Sequence, residues 1–598
     1  MKIINGALLL ALGLSTFACD GGDSDGAGGA GGQGAAEGAC SVKDNGDGTA
    51  TISCADGSSA EVTGLPGDQG DGCEATDNGD GTWAISCGGG DPVVVKQTAA
   101  FNSKVLVKEG NDLTLVTLHD DGSAPSRARV NKAFIDGGSI STYEVSSDNK
   151  HVLFIATDDT TSVVQLYVSD ISGDKPTAPV RVNGALVADG SVISARFSPD
   201  GGKIGYIADE DEDGTNELYV AVIKAGKVTS NDKVSGTTTA SAAVSSFVFS
   251  ADGKQIAFLS NTAISTQSEL YVATANGDAD PNKVNGTLVA ATSVQTDYGF
   301  TPDGKRIGYR ALQGTAVYYD LYVAPVSSGN PDTAQKVNGT LDAVSVYNWG
   351  FSPNSKKVAY RADQDADLTV NTNLYISDIA DEDPTTGLKV DDGGEGSAVG
   401  AFAFTSSSKY LVFMGNITDT VDVEVYSSDV SKTTPGNQTT LNADLAEDGN
   451  ITGFSVIPET DNVVFLGDVT ADARVELFFV HASGADDAVR VNSSLPSAGA
   501  VASYQVAKNG SALTYLAPNF TGGVPYAYYV KLADDGPKTP KVVSPIAFVG
   551  QPNLAGIALS NTGKLVWIND TFGGSGITDT ISAPAILGSA SAFVTFLD

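Results

Sequence analysis

The sequence predicts an all-β fold built from many short strands, and three observations support this prediction. A segment with two strands joined by a turn, an acidic loop and a third strand, seen at 197–220, returns about every 52 residues. No stretch shows sustained helical periodicity. Glycine is abundant, with 69 residues among 598, as many tight turns require. Four short strands per repeat are typical of a propeller blade, so we predict a large β-propeller of about 8–10 four-stranded units over residues 99–598.

Each repeat carries the same marks in the same order. A first strand ends in an apolar residue before a turn rich in Asp, Asn, Ser and Gly, and a third strand contains an acidic or amide residue followed by Leu-Tyr. A fourth, shorter strand often ends in Val-Asn. The first-strand ends are Val145, Phe197, Phe249, Phe300, Phe351, Phe404, Val456, Val506 and Leu559. The unit at 104–131 lacks a first strand, and we expect terminal segments such as 593–596 to close one large ring. Eight or nine blades with irregular ends, or two smaller rings, are the alternatives.

Composition limits the classes of partner. Hydrophobic residues make up 41% of the chain, which is enough for a substantial core. Lys and Arg total 35 against 72 Asp and Glu, a net charge of -37. A surface this acidic repels nucleic acid and anionic membranes, so we expect no nucleic-acid partner.

The N-terminus has the features of an export signal. Lys2 precedes a short apolar run at 7–14, and small residues lead to a single cysteine, Cys19. This arrangement resembles the bacterial lipoprotein signal, which implies a signal peptide at 1–18 and lipidation of Cys19; ordinary secretion is the alternative. We therefore expect a cell-envelope location, at the outer membrane on its periplasmic or surface face, with membrane contact only through the lipid. Residues 19–39 form a Gly- and Asp-rich flexible tether.

Residues 40–98 contain two copies of a small motif. Each copy reads C-x3-DNGDGT-x2-ISC, and its Asn-Gly and Asp-Gly pairs favour hairpin turns. An exported chain permits disulfides. We predict two disulfide-stapled hairpins with the pairs Cys40–Cys54 and Cys73–Cys87, although four cysteines allow three pairings.

The repeats resemble the TolB-like (PD40-type) repeats of bacterial periplasmic proteins, a blade type also found in the propeller of the prolyl oligopeptidase family. The resemblance rests on the turn, the second strand and the Leu-Tyr strand, and covers about residues 100–570. It implies the fold and leaves function open, because propellers serve binding, scaffolding and catalysis. The hydrolase domain of that family has no counterpart after residue 570.

The acidic loop at 209–217 is the sharpest local signal. Asp209, Asp211 and Asp213 alternate before Gly214, and Glu217 follows. Alternating carboxylates with a glycine suit a hard cation, so we predict a calcium site at Asp209, Asp211, Asp213 and Glu217. The alternative is a solvated acidic loop in which Glu217 has a structural role.

Aromatic residues form two groups. The tyrosines that follow Leu on the third strands are expected to pack between blades; they are Tyr167, Tyr219, Tyr271, Tyr322, Tyr375 and Tyr426. Aromatics outside that series are candidates for stacking on carbohydrate, namely Tyr318, Tyr319, Tyr526, Tyr528 and Trp349. The three histidines, His119, His151 and His481, lie in different units, and no catalytic set is assigned.

The favoured function is that of a lipid-anchored envelope propeller that acts as a binding or scaffold module for protein or glycan. One alternative is an enzyme of the lyase or glycosidase type with its site in the propeller funnel. Such an enzyme needs convergent acidic, Arg or His residues on the inner strands. Those strands are mainly apolar and small, with Arg196 as the charged exception, so an enzyme is the less favoured reading. A purely structural envelope protein is the other alternative.

Overall fold

The computed structural model describes the strands and most connections of the chain. The described residues are 40–44, 49–54, 59–63, 73–77, 82–87, 93–96, 103–118, 126–132, 138–157, 163–211, 214–236, 243–264, 266–326, 333–342, 344–364, 372–380, 387–393, 397–417, 422–445, 449–469, 474–496, 499–518, 525–533, 536–543, 554–560, 565–570, 574–579, 585–589 and 593–596. They form an all-β structure without an α-helix. Within these ranges, no helix has the length and apolar character needed to cross a membrane.

The chain divides into two compact units, and the first contains two small sheets. Unit 1 covers Met1–Lys104 with Thr117–Ser126, and unit 2 covers Val105–Val116 with Arg127–Asp598. The strands of the small sheets are β1 (Cys40–Asp44), β2 (Thr49–Cys54), β3 (Ser59–Thr63), β4 (Cys73–Asp77), β5 (Thr82–Cys87) and β6 (Val93–Lys96). Each predicted hairpin thus gains a third strand, in the orders β1-β2-β3 and β4-β5-β6.

The predicted cysteine pairs lie opposite each other in these sheets. Cys40 is the register partner of Cys54, and Cys73 is the register partner of Cys87. Directly opposed residues of antiparallel strands have Cα atoms about 4.5–5.5 Å apart, which is within the range that a disulfide spans. The backbone register is thus compatible with both disulfides, which stay predictions. Cys19 lies outside the described residues.

Unit 2 is a large β-propeller. Its early strands are β7 (Ser103–Glu109), β8 (Asp112–Leu118) and β9 (Ser126–Arg129) in blade 1; β10 (Ile140–Val145), β11 (His151–Thr157), β12 (Val164–Asp170) and β13 (Val180–Arg181) in blade 2; β14 (Val192–Phe197), β15 (Lys203–Ala208), β16 (Glu217–Lys224) and β17 (Lys227–Lys233) in blade 3; β18 (Val244–Phe249), β19 (Gln255–Ile264), β20 (Gln267–Thr274) and β21 (Asn282–Lys283) in blade 4. Next come β22 (Gly299–Phe300), β23 (Arg306–Ala311), β24 (Asp320–Pro325) and β25 (Gln335–Lys336) in blade 5; β26 (Tyr347–Phe351), β27 (Lys357–Ala362), β28 (Asn373–Asp378) and β29 (Leu388–Lys389) in blade 6; β30 (Ala398–Phe404), β31 (Tyr410–Asn416), β32 (Glu424–Asp429) and β33 (Thr439–Thr440) in blade 7.

The later blades repeat this arrangement. They contain β34 (Ile451–Val456), β35 (Asn462–Gly467), β36 (Glu476–His481) and β37 (Val489–Arg490) in blade 8; β38 (Ser503–Val506), β39 (Ala512–Pro518), β40 (Pro525–Ala533), β41 (Gly536–Pro537) and β42 (Lys541–Val542) in blade 9; β43 (Leu554–Leu559), β44 (Leu565–Asp570), β45 (Gly574–Asp579) and β46 (Ala585–Ser589) in blade 10; and finally β47 (Phe593–Phe596). Among the described strands of this unit, nine sheets have four strands and blade 9 has five.

Blade 1 is completed by the last strand of the chain. β47 pairs with β7 in antiparallel register, with Val594 opposite Val107 and Phe596 opposite Val105, and the sheet order is β47-β7-β8-β9. The expected closure through 593–596 is therefore confirmed. It supplies the first strand that the earliest repeat lacks.

Consecutive blades are joined by apolar clusters. Nine such clusters in the described part of unit 2 link each blade to the next, from blade 1 to blade 10. Within a blade, an aromatic residue of the second strand stacks on one of the third. Tyr206 and Tyr219 have ring centroids 5.4 Å apart, and Tyr309 and Tyr322 have centroids 5.5 Å apart. Tyr219 and Tyr322 also belong to clusters shared with the preceding blade, so these tyrosines pack between blades as predicted.

The recurrent Val-Asn has a clear structural role. The fourth strand has only two residues in most blades, and the asparagine side chain after it continues the pairing. The Oδ1 atom of Asn183 accepts the backbone N–H of Leu166 at 2.9 Å, and that of Asn338 accepts Leu321 N–H at 2.7 Å. In blade 6 this place is taken by Asp391, which accepts Leu374 N–H at 2.6 Å.

Asp391 provides a pH-dependent prediction. Burial raises the pKa of this carboxyl group, although the Leu374 hydrogen bond and Lys389 offset part of the effect. A raised pKa in the folded state means that the stabilisation from protonation is present at low pH and is lost as pH rises through that pKa. Replacing Asp391 by Asn removes this titration. We therefore expect the unfolding free energy of Asp391→Asn, relative to wild type, to increase between about pH 4 and pH 8 in urea titrations. Parallel profiles for the two proteins contradict the prediction.

Candidate functional site

The first strands form the inner edge of the blades. Side chains of neighbouring first strands, or of residues beside them, meet directly: the hydroxyl oxygens of Ser246 and Tyr298 are 3.0 Å apart, and those of Ser455 and Tyr504 are 2.9 Å apart. Fourth strands such as β13 and β37 are instead exposed. A ligand that enters the propeller centre therefore meets the first strands.

A run of small residues creates a recess at this edge. Gly299, Gly350 and Ala403 stand directly before the last residue of the first strand in blades 5, 6 and 7. The same register position holds Glu144 in blade 2 and Arg196 in blade 3. A Cβ atom built on Gly299 or Gly350 meets no atom within 4 Å. Of these small residues, Gly350 and Ala403 line the recess.

The recess is a cleft of about 610 Å³ with an aromatic wall. Its aromatic side chains are Tyr298, Trp349, Phe351, Phe402 and Phe404, which come from the first strands of blades 5, 6 and 7 or from beside them. Asp297 and Asn348 supply polar groups, and Ala401 of β30 is an exposed small residue of the lining. We call this site the inner cleft.

Trp349 is held in a fixed position in the inner cleft. Its Nε1–H donates to Oδ2 of Asp297 at 3.0 Å, and its ring meets Phe351 edge-on at 5.2 Å between centroids. A Cβ atom on Gly308, in the preceding blade, would lie 2.8 Å from the indole ring. Gly308 therefore permits the ring to lie against the backbone of blade 5. This arrangement limits the rotamers open to the indole before any ligand binds.

Asp297 carries the charge of the cleft. Its Oδ2 atom also accepts Nε–H of Arg310 at 2.7 Å, and Arg310 donates a further hydrogen bond to the carbonyl of Val346. The Asp297 side chain is 41% exposed, whereas that of Arg310 is 17% exposed. The carboxylate therefore reaches solvent at the cleft, and the guanidinium is directed into the protein. A surface ion pair of this kind mainly orients its members.

In the predicted calcium loop, a lysine side chain contacts two of the carboxylates. Glu217, whose side chain is 0% exposed, forms an ion pair with Lys233 Nζ at 2.8 Å, and the same ammonium lies 3.2 Å from Asp211. Asp209 accepts the backbone N–H of Gly214 at 2.8 Å. The ammonium group of Lys233 thus occupies the place between Asp211 and Glu217 that a shared cation would take.

The other residues of the loop also contact protein groups. Glu210 accepts Gly184 N–H and the hydroxyl of Tyr206, each at 2.8 Å, and so links blade 3 to blade 2. Burial raises the pKa of this carboxyl group. Asp213 lies outside the described residues. Among the residues that the structure describes, no three His, Cys, Asp or Glu side chains converge as a metal site, and calcium at this loop stays a prediction.

The remaining candidate residues are scattered. His119 lies outside the described residues, His151 begins β11, and His481 ends β36 with Nδ1 2.7 Å from Ser483 Oγ. The placement of Tyr528 outside the stacked tyrosine series was wrong. It pairs with Tyr515 across β39 and β40 with centroids 4.7 Å apart, because blade 9 repeats the aromatic pair of the other blades.

Of the aromatics proposed for carbohydrate stacking, Trp349 lies in the inner cleft. The cleft itself was not predicted from the sequence. When the first strands are aligned, small residues precede Phe300, Phe351 and Phe404, and this pattern could have indicated the cleft.

Comparisons with known proteins find matches among solved structures alone. No protein-family model matches the sequence, and no curated protein matches it. Solved structures that resemble the chain include a eukaryotic initiation factor, at TM-score 0.44 and 11% identity, covering 82% of this chain and 98% of that one. Dipeptidyl peptidase 4 of Porphyromonas gingivalis has TM-score 0.42 and 13% identity, with 71% and 64% covered. Prolyl oligopeptidase B of Galerina marginata has TM-score 0.34 and 12% identity, with 66% and 55% covered.

The chain spans less than two thirds of these two peptidases and nearly all of the initiation factor structure. The structural class of the protein follows from its own strand order. Consecutive antiparallel four-stranded sheets form a large all-β propeller.

Proposed function

We propose that this protein is a lipid-anchored β-propeller of the bacterial cell envelope, with TolB-like repeats, that binds a protein or glycan ligand in the inner cleft. The observation that carries the proposal is the cleft itself. Its volume of about 610 Å³ falls within the usual range for ligand sites, and its wall is mostly aromatic with few polar groups. The anchor rests on Cys19 and the export signal before it.

Binding is favoured over catalysis by the chemistry of the cleft. General acid–base catalysis needs ionisable groups placed at a reacting atom. The described lining residues supply one carboxylate, Asp297, and that carboxylate is already hydrogen-bonded to Arg310 and Trp349. The other lining side chains are aromatic, small or amide groups. A rigid blade edge with such a wall suits recognition.

The test is capture of envelope components by the full chain, with a variant that fills the cleft. Gly350→Leu places a side chain in open space, so the blade should fold while the cleft closes. Gly453→Leu is the matched control, since a Cβ atom there also meets nothing within 4 Å and Gly453 lies outside the cleft, on β34. We expect Gly350→Leu to lose the captured ligand and Gly453→Leu to retain it. Equal capture by both variants overturns binding in this cleft.

The anchor is tested separately. Cys19→Ser should abolish incorporation of labelled palmitate and move the protein from the membrane fraction to the soluble fraction. Unchanged labelling and fractionation contradict the lipid anchor, and they leave the cleft experiment unaffected.

A further inference from the structure

We infer that the ligand of the inner cleft is an uncharged glycan, an inference that rests on the proposed function. The aromatic wall is the first reason. Trp349, Phe351 and Phe404 line one continuous cleft, and rings of this kind provide large rigid apolar surface. A sugar ring presents C–H groups on its face and hydroxyl groups around its edge, so it matches an apolar wall with polar groups at the rim.

The polar groups at the cleft select hydroxyl groups. Asp297 is a carboxylate, which accepts hydrogen bonds, and Asn348 is an exposed amide that both donates and accepts. A hydroxyl group can donate to the first and exchange hydrogen bonds with the second. A proline-rich peptide, the other common occupant of aromatic grooves, has fewer N–H donors for a carboxylate, because each proline lacks one. The presence of both Asp297 and Asn348 in the lining therefore favours a glycan.

Charge disfavours acidic glycans. Asp297 presents its carboxylate at the cleft, and the chain as a whole has a net charge of -37. Two cations are near the cleft: Arg310, which is engaged by Asp297 and the Val346 carbonyl, and Arg196 of blade 3, which acts electrostatically on Tyr298. A carboxylated or sulfated sugar therefore meets repulsion both at the site and during approach.

The site is organised before the ligand arrives. Trp349 is held by Asp297, by Phe351 and by close contact over Gly308. Asn348 has φ of 52°, in the left-handed region that asparagine tolerates, at a shift in the register between β26 and β27. Such a bulge changes the direction of the side chain relative to a regular strand. Fixed side chains reduce the conformational entropy lost on binding.

The experiment measures binding of defined oligosaccharides to the full chain. The uncharged probes are cellotetraose, chitotetraose, maltotetraose and mannotetraose, the acidic probe is tetragalacturonic acid, and decaproline represents a proline-rich peptide. Calorimetry gives affinity, and tryptophan fluorescence reports on the cleft, since Trp349 is one of three tryptophans in the chain. We expect an uncharged probe to bind and to change the emission, with no change in a Trp349→Phe variant.

Variants locate the binding. Gly350→Leu and Asn348→Ala should each weaken the affinity for the uncharged probe roughly tenfold or more, and Gly453→Leu should leave it unchanged. Asp297→Asn should weaken binding of the uncharged probe, because the Asp297 carboxylate contacts Trp349 and accepts hydrogen bonds, and it should narrow the preference for the uncharged probe over the acidic one, because it removes the repelling charge. Melting curves confirm that each variant is folded before its affinity is interpreted.

The outcomes separate this inference from the proposed function. If no uncharged probe binds, or if tetragalacturonic acid or decaproline binds more tightly, the glycan inference is overturned. Where Gly350→Leu still abolishes capture of an envelope protein, the cleft remains a binding site with a protein ligand. If an uncharged probe binds equally well to Gly350→Leu, both the inference and the assignment of the cleft fail.

Discussion

Replacing Lys233 by Met is expected to destabilise the propeller by about 3 kcal/mol, because it leaves the carboxylate of Glu217 buried without its cation. Glu217 is 0% exposed, and Lys233 Nζ is its charged partner at 2.8 Å. The Glu217 carboxylate also accepts the Tyr219 hydroxyl at 3.0 Å, which does not neutralise its charge. Since the lysine side chain is 24% exposed, the lower end of the usual penalty applies. Urea or thermal unfolding of the full chain provides the measurement.

A neighbouring blade suggests a control variant for this prediction. Gln165 of blade 2 stands at the register position that Glu217 has in blade 3, so an uncharged amide is compatible with this site in the fold. The double variant Lys233→Met with Glu217→Gln should recover most of the lost stability. A single variant as stable as wild type contradicts the prediction, as does a double variant that is less stable than the single one.

The same variant tests the calcium prediction for Asp209, Asp211, Asp213 and Glu217. In wild type, calcium must displace the Lys233 ammonium group from Asp211 and Glu217. Removing that group frees two carboxylates for a hard cation. If the loop binds calcium, millimolar calcium should raise the melting temperature of Lys233→Met more than that of wild type. An equal response of the two proteins speaks against calcium at this loop.

The sequence predicted the repeat and its closure because strand periodicity is a local property. Each blade repeats the aromatic pair, the turn and the Val-Asn, so the strand order follows from adjacent segments. Closure by β47 was foreseen because the unit at 104–131 has no first strand of its own. The third strands of the two small sheets, β3 and β6, were missed, since their segments lie outside the repeated cysteine motif.

The sites were harder to predict because they depend on contacts between residues of different strands, within one blade or in neighbouring blades. Glu217 appeared to be a cation ligand until its partner across the blade, 16 residues later, was known to be Lys233. The small residues that line the inner cleft, Gly350 and Ala403, are about 50 residues apart in different blades. The sequence of a single repeat does not show that its small residue borders a cleft. Such a feature becomes visible only when the register aligns three first strands.

Removal of the closing strand is the second large effect that we expect. In blade 1, β47 is the partner of β7, and Val105, Leu106 and Val107 of β7 are fully buried. Deleting 593–598 removes the hydrogen bonds to β7 and leaves this strand as an exposed edge. We expect a loss of about 3 to 5 kcal/mol, from lost pairing and from partial exposure of these apolar side chains.

The deletion also tests how the propeller holds together. β47 joins the end of the chain to its earliest blade, so its loss should free blade 1 before the other blades unfold and should broaden the unfolding transition. Thr595→Pro, opposite Leu106, should reproduce part of the effect because proline is poorly tolerated inside a paired strand, whereas Thr595→Ala should not. A synthetic peptide of residues 590–598, added to the truncated chain, should restore stability in proportion to its concentration. A truncated chain that unfolds at the wild-type midpoint, with the same cooperativity, shows that β47 contributes nothing to closure and that the contacts between blades hold the ring.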